Sequence, residues 1–355
     1  MISRIPDFGD PAPLFTARTD EVDAYNIGVV AGRFVLLMIF GSLGVEACAR
    51  AHAQVLARRA VFDDRHALFF GVSADRADHA VRRIRNQAPG LRYFQDYDLA
   101  VSRLYGLLQG EHLRPAVFLL DPMLRVMAAE PIEATGAVLD RLEAALADQA
   151  QAEAAFAPVL GVPRILEPEL CERLIAHYQQ VGGEPSGFAV EVDGRTVQRV
   201  HPGLKRRRDV WITDVALRAE VRLALTERLF PMIERAWGWR ATEIERDIVT
   251  CYDSADQGFF SAHRDDATAG TAHRRFAVTL NLNADAYEGG ALRFPEFGSR
   301  LYKPPTGGAV VFGCSLLHEA TPVTAGVRYA LTPFLYDEAG ARLRARNLAQ
   351  VGEAA

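Results

Sequence analysis

Two histidines and one aspartate in the C-terminal half carry the side chains that an oxygen-activating iron site needs. His263 and Asp265 stand in a His-x-Asp triplet, and His318 follows later in the chain. Two imidazoles and one carboxylate can occupy one face of an octahedral Fe(II) and leave the opposite face open for reactants. A His-x-Asp or His-x-Glu triplet is expected about once by chance in a chain of this composition, so the triplet gains weight only from its surroundings.

An arginine in the strand that follows His318 suits a dicarboxylate co-substrate. In the segment 327–334, Arg328, Ala330 and Thr332 share one face of an alternating strand. An inward arginine is costly in a protein interior unless it meets an anion, and its guanidinium fork matches a carboxylate. We therefore expect Arg328 to bind one end of a dicarboxylate.

The elements around these residues predict a β-core. From Ile248 onward, short alternating segments are broken by Gly and Pro, which is typical of strands and tight turns. Helical patterns at 168–178 and 215–237 precede them. This order predicts an α+β domain with supporting helices.

The first 150 residues alternate strand and helix patterns, which predicts an α/β layer structure. Pro158, Gly161 and Pro163 interrupt the chain after a helical stretch, so we place a linker at 151–163. The predicted domains are 1–150 and 164–355. Predicted strands of the first domain are 34–40, 68–72, 116–120 and 124–128, and predicted helices are 45–60, 77–86 and 134–147.

Composition indicates a globular protein without a basic or membrane-seeking character. The net charge is -5 and 49% of the residues are hydrophobic, so we expect no nucleic-acid partner and no membrane association. The N-terminus lacks the blocks of a signal peptide, and the longest apolar stretch is too short to cross a bilayer, which favours the cytoplasm. Four widely spaced cysteines favour reduced thiols over disulfides or a zinc ribbon.

Two further features are interpreted first as solvent-exposed residues. The basic run Lys205–Arg208 is interpreted as a solvated loop, with the alternative that it grips an acidic substrate near the active site. His273, beside two arginines, is interpreted as a solvated residue rather than a competing ligand.

On these motifs, residues 162–336 resemble the prolyl-4-hydroxylase-like branch of the 2-oxoglutarate/Fe(II) oxygenases. The resemblance implies a double-stranded β-helix (jelly-roll) core, with Fe(II), 2-oxoglutarate and O₂ as cofactor and co-substrates, and it leaves ascorbate open as a reductant. It assigns His263, Asp265 and His318 to the iron and Arg328 to the distal carboxylate of 2-oxoglutarate. It implies that Thr332 assists Arg328 and that Tyr252 contacts the co-substrate. Asn281 stands where some members have a tyrosine.

Residues 5–147 resemble peroxiredoxins, which implies a thioredoxin-like fold. The resemblance rests on the segments 10–15, 34–40, 71–75 and 114–121. Cys48 follows the first long strand, where a peroxidatic cysteine opens a helix, and the helix N-terminus with Arg114 would lower its pKa. Gly41 and Val45 stand where peroxiredoxins usually have a proline and a Thr or Ser. Cys48 is therefore either an inert thiol in a docking module or a retained redox residue.

Three functions remain open from the sequence. The first is a dioxygenase that hydroxylates a C–H bond of a prolyl, peptidyl or small-molecule substrate. The second is a thiol peroxidase that uses Cys48, with the oxygenase domain secondary. The third is a non-catalytic binding or scaffold protein. A homo-oligomer is compatible with all three.

Overall fold

The computed structural model describes residues 4–110, 112–151, 155–192 and 194–351. By their contacts the residues divide into two compact units. One is formed by the N-terminal 155 residues together with Pro295–Gly298, and the other by the rest of the chain. Each unit has its own hydrophobic core.

A five-stranded mixed sheet forms the centre of the N-terminal unit. Its middle strand, Phe34–Gly41, runs parallel to Ala67–Ser73 and antiparallel to Ala116–Leu120. Residues 34–40 are all buried, as expected for a strand that is covered on both faces. The predicted thioredoxin-like α/β fold is confirmed. The sheet order is Leu91–Gln95, Ala67–Ser73, Phe34–Gly41, Ala116–Leu120 and Val126–Pro131; the α-helices are Glu46–Ala57, Arg76–Ala80, Ala100–Leu104 and Thr135–Gln151, and two short ladders join Thr16–Ala17 to Tyr25–Asn26 and Leu108–Gln109 to His112–Leu113.

Two local features of this unit differ from the predictions. The helix expected at 77–86 ends at Ala80, because Arg82 has a φ of 55° and cannot continue a right-handed helix. The strand Leu91–Gln95 was not predicted. The cis peptide of this region is Ala88–Pro89, and the peptide before Pro115 is trans.

Two antiparallel sheets form the C-terminal unit, and the predicted jelly-roll core is confirmed. The larger sheet runs in the order Val159–Val162, Ala309–Gly313, Phe276–Asn281, Val323–Leu331, Ile248–Asp253, Arg208–Trp211 and Glu184–Pro185, with Glu243–Glu245, Tyr287–Gly289 and Phe334–Tyr336 paired off this path. The smaller sheet runs in the order Lys205–Arg206, Phe259–His263, His318–Ala320, Leu292–Arg293 and Leu301–Tyr302. A separate hairpin joins Phe188–Val192 to Arg195–Arg199.

Helices cover one face of the larger sheet. Leu174 and Ile233 share one core with Val249 and Val278 of that sheet. The other face of the larger sheet is therefore available to the smaller sheet and to the site between them. The helices are Pro168–Val181, Val215–Ala224, Phe230–Trp237 and Glu338–Asn347, with the π-helical turn Leu225–Leu229 between the second and third. No helix among the described residues has the length and apolar character needed to cross a membrane.

Two interpretations of the sequence are corrected here. Val159–Val162, expected within the linker, is a strand of the larger sheet that pairs with Ala309–Phe312. His273, expected to be solvated, is 2% exposed, and its Nε2 lies 2.7 Å from Glu245 Oε2. Val159–Val162 is too short, and too close to prolines, to show a strand pattern in the sequence. His273 can be buried because its ring nitrogen meets the carboxylate of Glu245.

Glu245 carries a buried charge whose loss should destabilise the C-terminal unit. Burial by itself would raise its pKa, but hydrogen bonds from His273 and Arg274 hold the pKa at about 2. The stabilisation is present above the usual pKa of 4.5 and is lost as the pH falls toward 2. Glu245→Gln should therefore lower the free energy of unfolding by about 3 kcal/mol at neutral pH, and by less at about pH 3.5.

Urea unfolding followed by tryptophan fluorescence measures this effect in one unit, because Trp211, Trp237 and Trp239 all lie in the C-terminal unit. Glu243→Gln, two residues away on an exposed position, is the matched control and should leave the midpoint unchanged. An equal loss at both pH values would contradict the assignment.

Candidate active site

The three predicted metal ligands come together at neighbouring ends of two strands. His263 ends the strand Phe259–His263, His318 begins the strand His318–Ala320, and the two residues are cross-strand partners. Asp265 follows in the next turn. Its Oδ1 lies 3.4 Å from His263 Nε2 and its Oδ2 lies 3.3 Å from His318 Nε2. One ligand atom from each residue lies within 4.8 Å of the other two.

Backbone carbonyls fix both imidazoles. His263 Nδ1 lies 2.8 Å from Ser261 O, and His318 Nδ1 lies 3.0 Å from Leu316 O. A carbonyl oxygen can only accept, so each Nδ1 carries the proton and each Nε2 is left with its lone pair. The two lone pairs point to the side of Asp265, which is the arrangement that supports metal-binding histidines.

The protonation states also suit a divalent metal. Burial, followed by the neighbouring His263, lowers the pKa of His318 to about 4. Burial by itself would raise the pKa of Asp265, but His318 and His263 hold it below its usual range. A neutral imidazole and an ionised carboxylate are the forms that bind metal at neutral pH. The nitrogen and oxygen donors therefore fit Fe(II), which accepts two imidazoles and one carboxylate.

Arg328 is a buried cation on the opposite wall. It is 2% exposed, and no acidic side chain among the described residues forms an ion pair with it. Its Nε donates to Asn281 Oδ1 at 3.4 Å, and its guanidinium lies 5.1 Å from the centre of the Tyr252 ring. Tyr252 is its cross-strand partner. A buried guanidinium without a protein carboxylate suits an anionic ligand.

Thr332 and Asn281, the other residues discussed for co-substrate binding, occupy different positions relative to the cavity. Thr332 lies on the cavity wall, and its buried Oγ1 has no hydrogen-bond partner. Asn281 lies behind Arg328, because its Nδ2 donates to Pro304 O at 2.8 Å and its Oδ1 accepts from the guanidinium. Asn281 therefore positions Arg328 and does not line the cavity.

One cavity between the two sheets contains these groups. It has about 490 Å³ of empty space, part of it open to solvent. The Phe260 ring stacks on His263 with a centroid distance of 3.5 Å and closes one side. The cavity is lined by the three candidate ligands, by Arg328, Thr332 and Tyr252, and by Arg207, Arg246, Phe260, Ala277, Val278, Thr279, Leu292, Phe312, Ala320 and Phe334.

The interpretation of the basic run as a solvated loop is wrong for half of its residues. Lys205 and Arg207 are buried, whereas Arg206 and Arg208 are exposed. Alternation in an extended chain explains this division. The four basic residues are consecutive and carry no period-two signal of their own, so only the apolar pair Val210 and Ile212, two positions apart, could have indicated an extended segment. Arg246, in a turn between two strands, had no comparable signal.

Cys48 does not occupy the environment predicted for a reactive thiol. It is the third residue of the helix Glu46–Ala57, is 0% exposed, and its Sγ donates to Phe40 O at 3.2 Å. Burial, and then the carboxylates of Glu133 and Asp78, raise its pKa to about 11. The expected lowering of the pKa is therefore wrong.

The surroundings of Cys48 explain the sign of the shift. Asp78 is fully buried and accepts hydrogen bonds from Ser73 Oγ at 2.8 Å and Leu43 N at 3.0 Å. A buried carboxylate near the start of the helix opposes a second negative charge on sulfur. Arg114 is exposed and contributes nothing to the shift.

The two halves of the chain match two different protein families. Residues 248–336 match the family model of the 2OG-Fe(II) oxygenase superfamily, and residues 8–129 match that of the AhpC/TSA family. Both predicted resemblances are confirmed. A PKHD-type hydroxylase of Synechococcus sp. (strain JA-2-3B'a(2-13)) is 34% identical over 119 residues, which are 31% of this chain and 50% of the relative. The chain thus spans about half the length of the curated relatives it matches.

Solved structures show low overall similarity. A prolyl hydroxylase from Trichoplax adhaerens, in complex with a hypoxia inducible factor peptide fragment, has a TM-score of 0.41 and 18% identity and covers 58% of this chain and 93% of its own. A reduced 2-Cys peroxiredoxin from Plasmodium vivax has a TM-score of 0.34 and 19% identity and covers 40% of this chain and 98% of its own.

Cys48 should be unreactive in the folded protein. All four cysteines are free and buried, so Ellman's reagent should titrate no thiol quickly in the native protein and all four after unfolding in guanidinium. Cys48→Ser should leave peroxide consumption unchanged. A fast-reacting native thiol that disappears in Cys48→Ser, but not in Cys171→Ser, would contradict this assignment.

Proposed function

We propose that the C-terminal unit is an Fe(II)- and 2-oxoglutarate-dependent dioxygenase that hydroxylates a C–H bond. One observation carries the proposal: three candidate iron ligands and an unpaired buried arginine line the same cavity. The family match of residues 248–336 supports it.

In this proposal His263, Asp265 and His318 hold the iron, and Arg328 binds the distal carboxylate of 2-oxoglutarate. Bound Fe(II) supplies the oxidising chemistry with O₂ and the co-substrate. Thr332 donates its free hydroxyl to the same carboxylate, and Tyr252 packs beside it. Phe260 shields His263 from water on the side where the two rings stack.

The proposal also covers the prime substrate, the molecule whose C–H bond is hydroxylated. Hydroxylation of a prolyl residue, another amino acid or a peptide is consistent with the PKHD-type hydroxylase to which the chain is similar. Ascorbate serves in this proposal as a reductant that keeps the iron in the Fe(II) state between turnovers.

Metal binding can be tested without a substrate. Under anaerobic conditions, Fe(II) and 2-oxoglutarate should give the visible absorption band of iron chelated by a 2-oxo acid. His318→Ala should abolish the band, because only two protein ligands remain. His201→Ala, which removes an exposed histidine of the same unit, is the matched control and should retain it. A band of equal intensity in both variants would refute the ligand assignment.

Co-substrate binding depends on Arg328 in this proposal. Arg328→Ala should weaken 2-oxoglutarate binding about 100-fold, since a buried charge-assisted contact is lost. The apparent affinity follows from titration of the visible band. Arg342→Ala, at an exposed helical position, should bind 2-oxoglutarate as the parent protein does. Unchanged affinity in Arg328→Ala would show that another cation binds the carboxylate.

A further inference from the structure

A second group of cations, two of them buried and the third partly buried, lies beside the candidate iron site, and the proposed function does not use it. We define the cationic cluster as Lys205, Arg207 and Arg246, which surround Asp209. Arg207 Nη2 donates to Asp209 Oδ2 at 2.7 Å, and Arg246 Nη2 lies 3.3 Å from the same oxygen. Lys205 Nζ donates to Ser186 Oγ at 2.8 Å and to Gly187 O at 2.6 Å. The two arginines thus share one carboxylate, and Lys205 is linked to it through Ser186, whose Oγ donates to Asp209 Oδ2 at 2.5 Å.

Arg207 lines the cavity and retains one buried donor without a partner. It is 8% exposed, and it lines the cavity together with the candidate iron ligands. Its buried Nε has no hydrogen-bond partner, although its Nη2 is bound by Ser186 and Asp209. A buried guanidinium N–H without an acceptor is costly, and a bound anion would satisfy it.

The charged residues of the cavity wall, Fe(II) and 2-oxoglutarate together carry a net positive charge. Its wall carries the guanidiniums of Arg207, Arg246 and Arg328, against the carboxylates of Asp265 and, behind Arg207, Asp209. The protein thus contributes one net positive charge. Fe(II) and the 2-oxoglutarate dianion cancel each other, so that positive charge remains. Lys205 adds to the excess to the extent that it is protonated.

The backbone at Arg246 is strained for a residue with a side chain. Its φ is 73°, in the left-handed region that glycine and asparagine tolerate better. Its guanidinium is held 5.4 Å from the centre of the Phe334 ring and reaches Asp209. An arginine that persists at such a position is consistent with a need for its charge there.

We propose that Arg207 and Arg246 bind a carboxylate of the prime substrate. The substrate is therefore a carboxylate-bearing small molecule, such as a free amino acid, rather than an internal polypeptide residue without an acidic side chain, which offers no carboxylate. Arg207 can meet that carboxylate with its guanidinium at the cavity wall, and Arg246, which lines the same cavity, supplies the second charge. This inference rests on the proposed function, with Arg328 reserved for 2-oxoglutarate.

The first test compares acids with their neutral counterparts on the unaltered protein. The probes are the common L-amino acids, their α-carboxamides, and peptides of the same residues with acetylated and amidated ends. Succinate release from 2-oxoglutarate reports stimulation. At least one free acid should stimulate turnover, and its amide and blocked peptide should need at least about tenfold higher concentration. Equal stimulation by acid and amide, or by the blocked peptide, would overturn the proposal.

The second test measures binding without turnover. The stimulating acid is titrated by calorimetry into the protein loaded with Mn(II) and 2-oxoglutarate. Arg207→Gln and Arg246→Asn should each weaken binding of the acid about tenfold or more. Asparagine is chosen at position 246 because it accepts the left-handed backbone. Arg206→Gln, the exposed neighbour in the same run, is the matched control and should bind the acid normally.

Titration of 2-oxoglutarate into the same variants separates the two proposals. Arg207→Gln should bind 2-oxoglutarate within about twofold of the parent protein, whereas Arg328→Ala should not. Loss of 2-oxoglutarate binding in Arg207→Gln alone would assign the cluster to the co-substrate and overturn the inference. Normal 2-oxoglutarate binding with no response to any acid would also overturn it. Failure of the parent protein to bind 2-oxoglutarate would instead reject the proposed function itself.

Discussion

The cost of burying charge governs the C-terminal unit. A guanidinium or carboxylate between two sheets is tolerated only where an opposite charge or a full set of hydrogen bonds meets it. Glu245 meets this condition through His273 and Arg274. Arg328 meets no carboxylate among the described residues, and Arg207 keeps a free N–H. Arg207 and Thr332 each keep a buried polar atom without a hydrogen-bond partner, and both residues line the cavity with Arg328.

Each of the two sheets contributes different residues to the candidate site. The smaller sheet presents both histidines from adjacent strand ends, with backbone carbonyls that fix their rings. The larger sheet presents Tyr252 and Arg328 as a cross-strand pair. Helices seal the outer face of the larger sheet with apolar side chains, so its polar residues concentrate on the inner face. Strand pairing therefore places both histidines, Tyr252 and Arg328, whereas Asp265 is placed by the turn after Phe259–His263.

Much of this arrangement could be predicted from the sequence, because period-two alternation and residue chemistry agree in the strands that carry Arg328 and the metal ligands. The predictions that failed fall into two groups. Lys205, Arg207 and His273 are polar residues that lie inside, and polarity alone predicts the surface. The prediction for Cys48 failed for a different reason. Its position at the start of a helix predicted a lowered pKa, whereas burial and Asp78 raise the pKa of the thiol. Spatial neighbours decided each of these cases, and a linear pattern does not contain them.

The alternation of Lys205 to Arg208 has a consequence for how this segment can evolve. A one-residue slip would exchange inward and outward positions, yet basic residues would still face the cavity, so the run itself carries no information about register. Val210 and Ile212 lie just beyond it and are buried in the core. Val210 therefore anchors the register of Arg208–Trp211, and Ile212 holds the residue after that strand in the core. An exchange of lysine for arginine within the run therefore keeps basic residues on both faces and leaves the pairing of Arg208–Trp211 with Ile248–Cys251 unchanged.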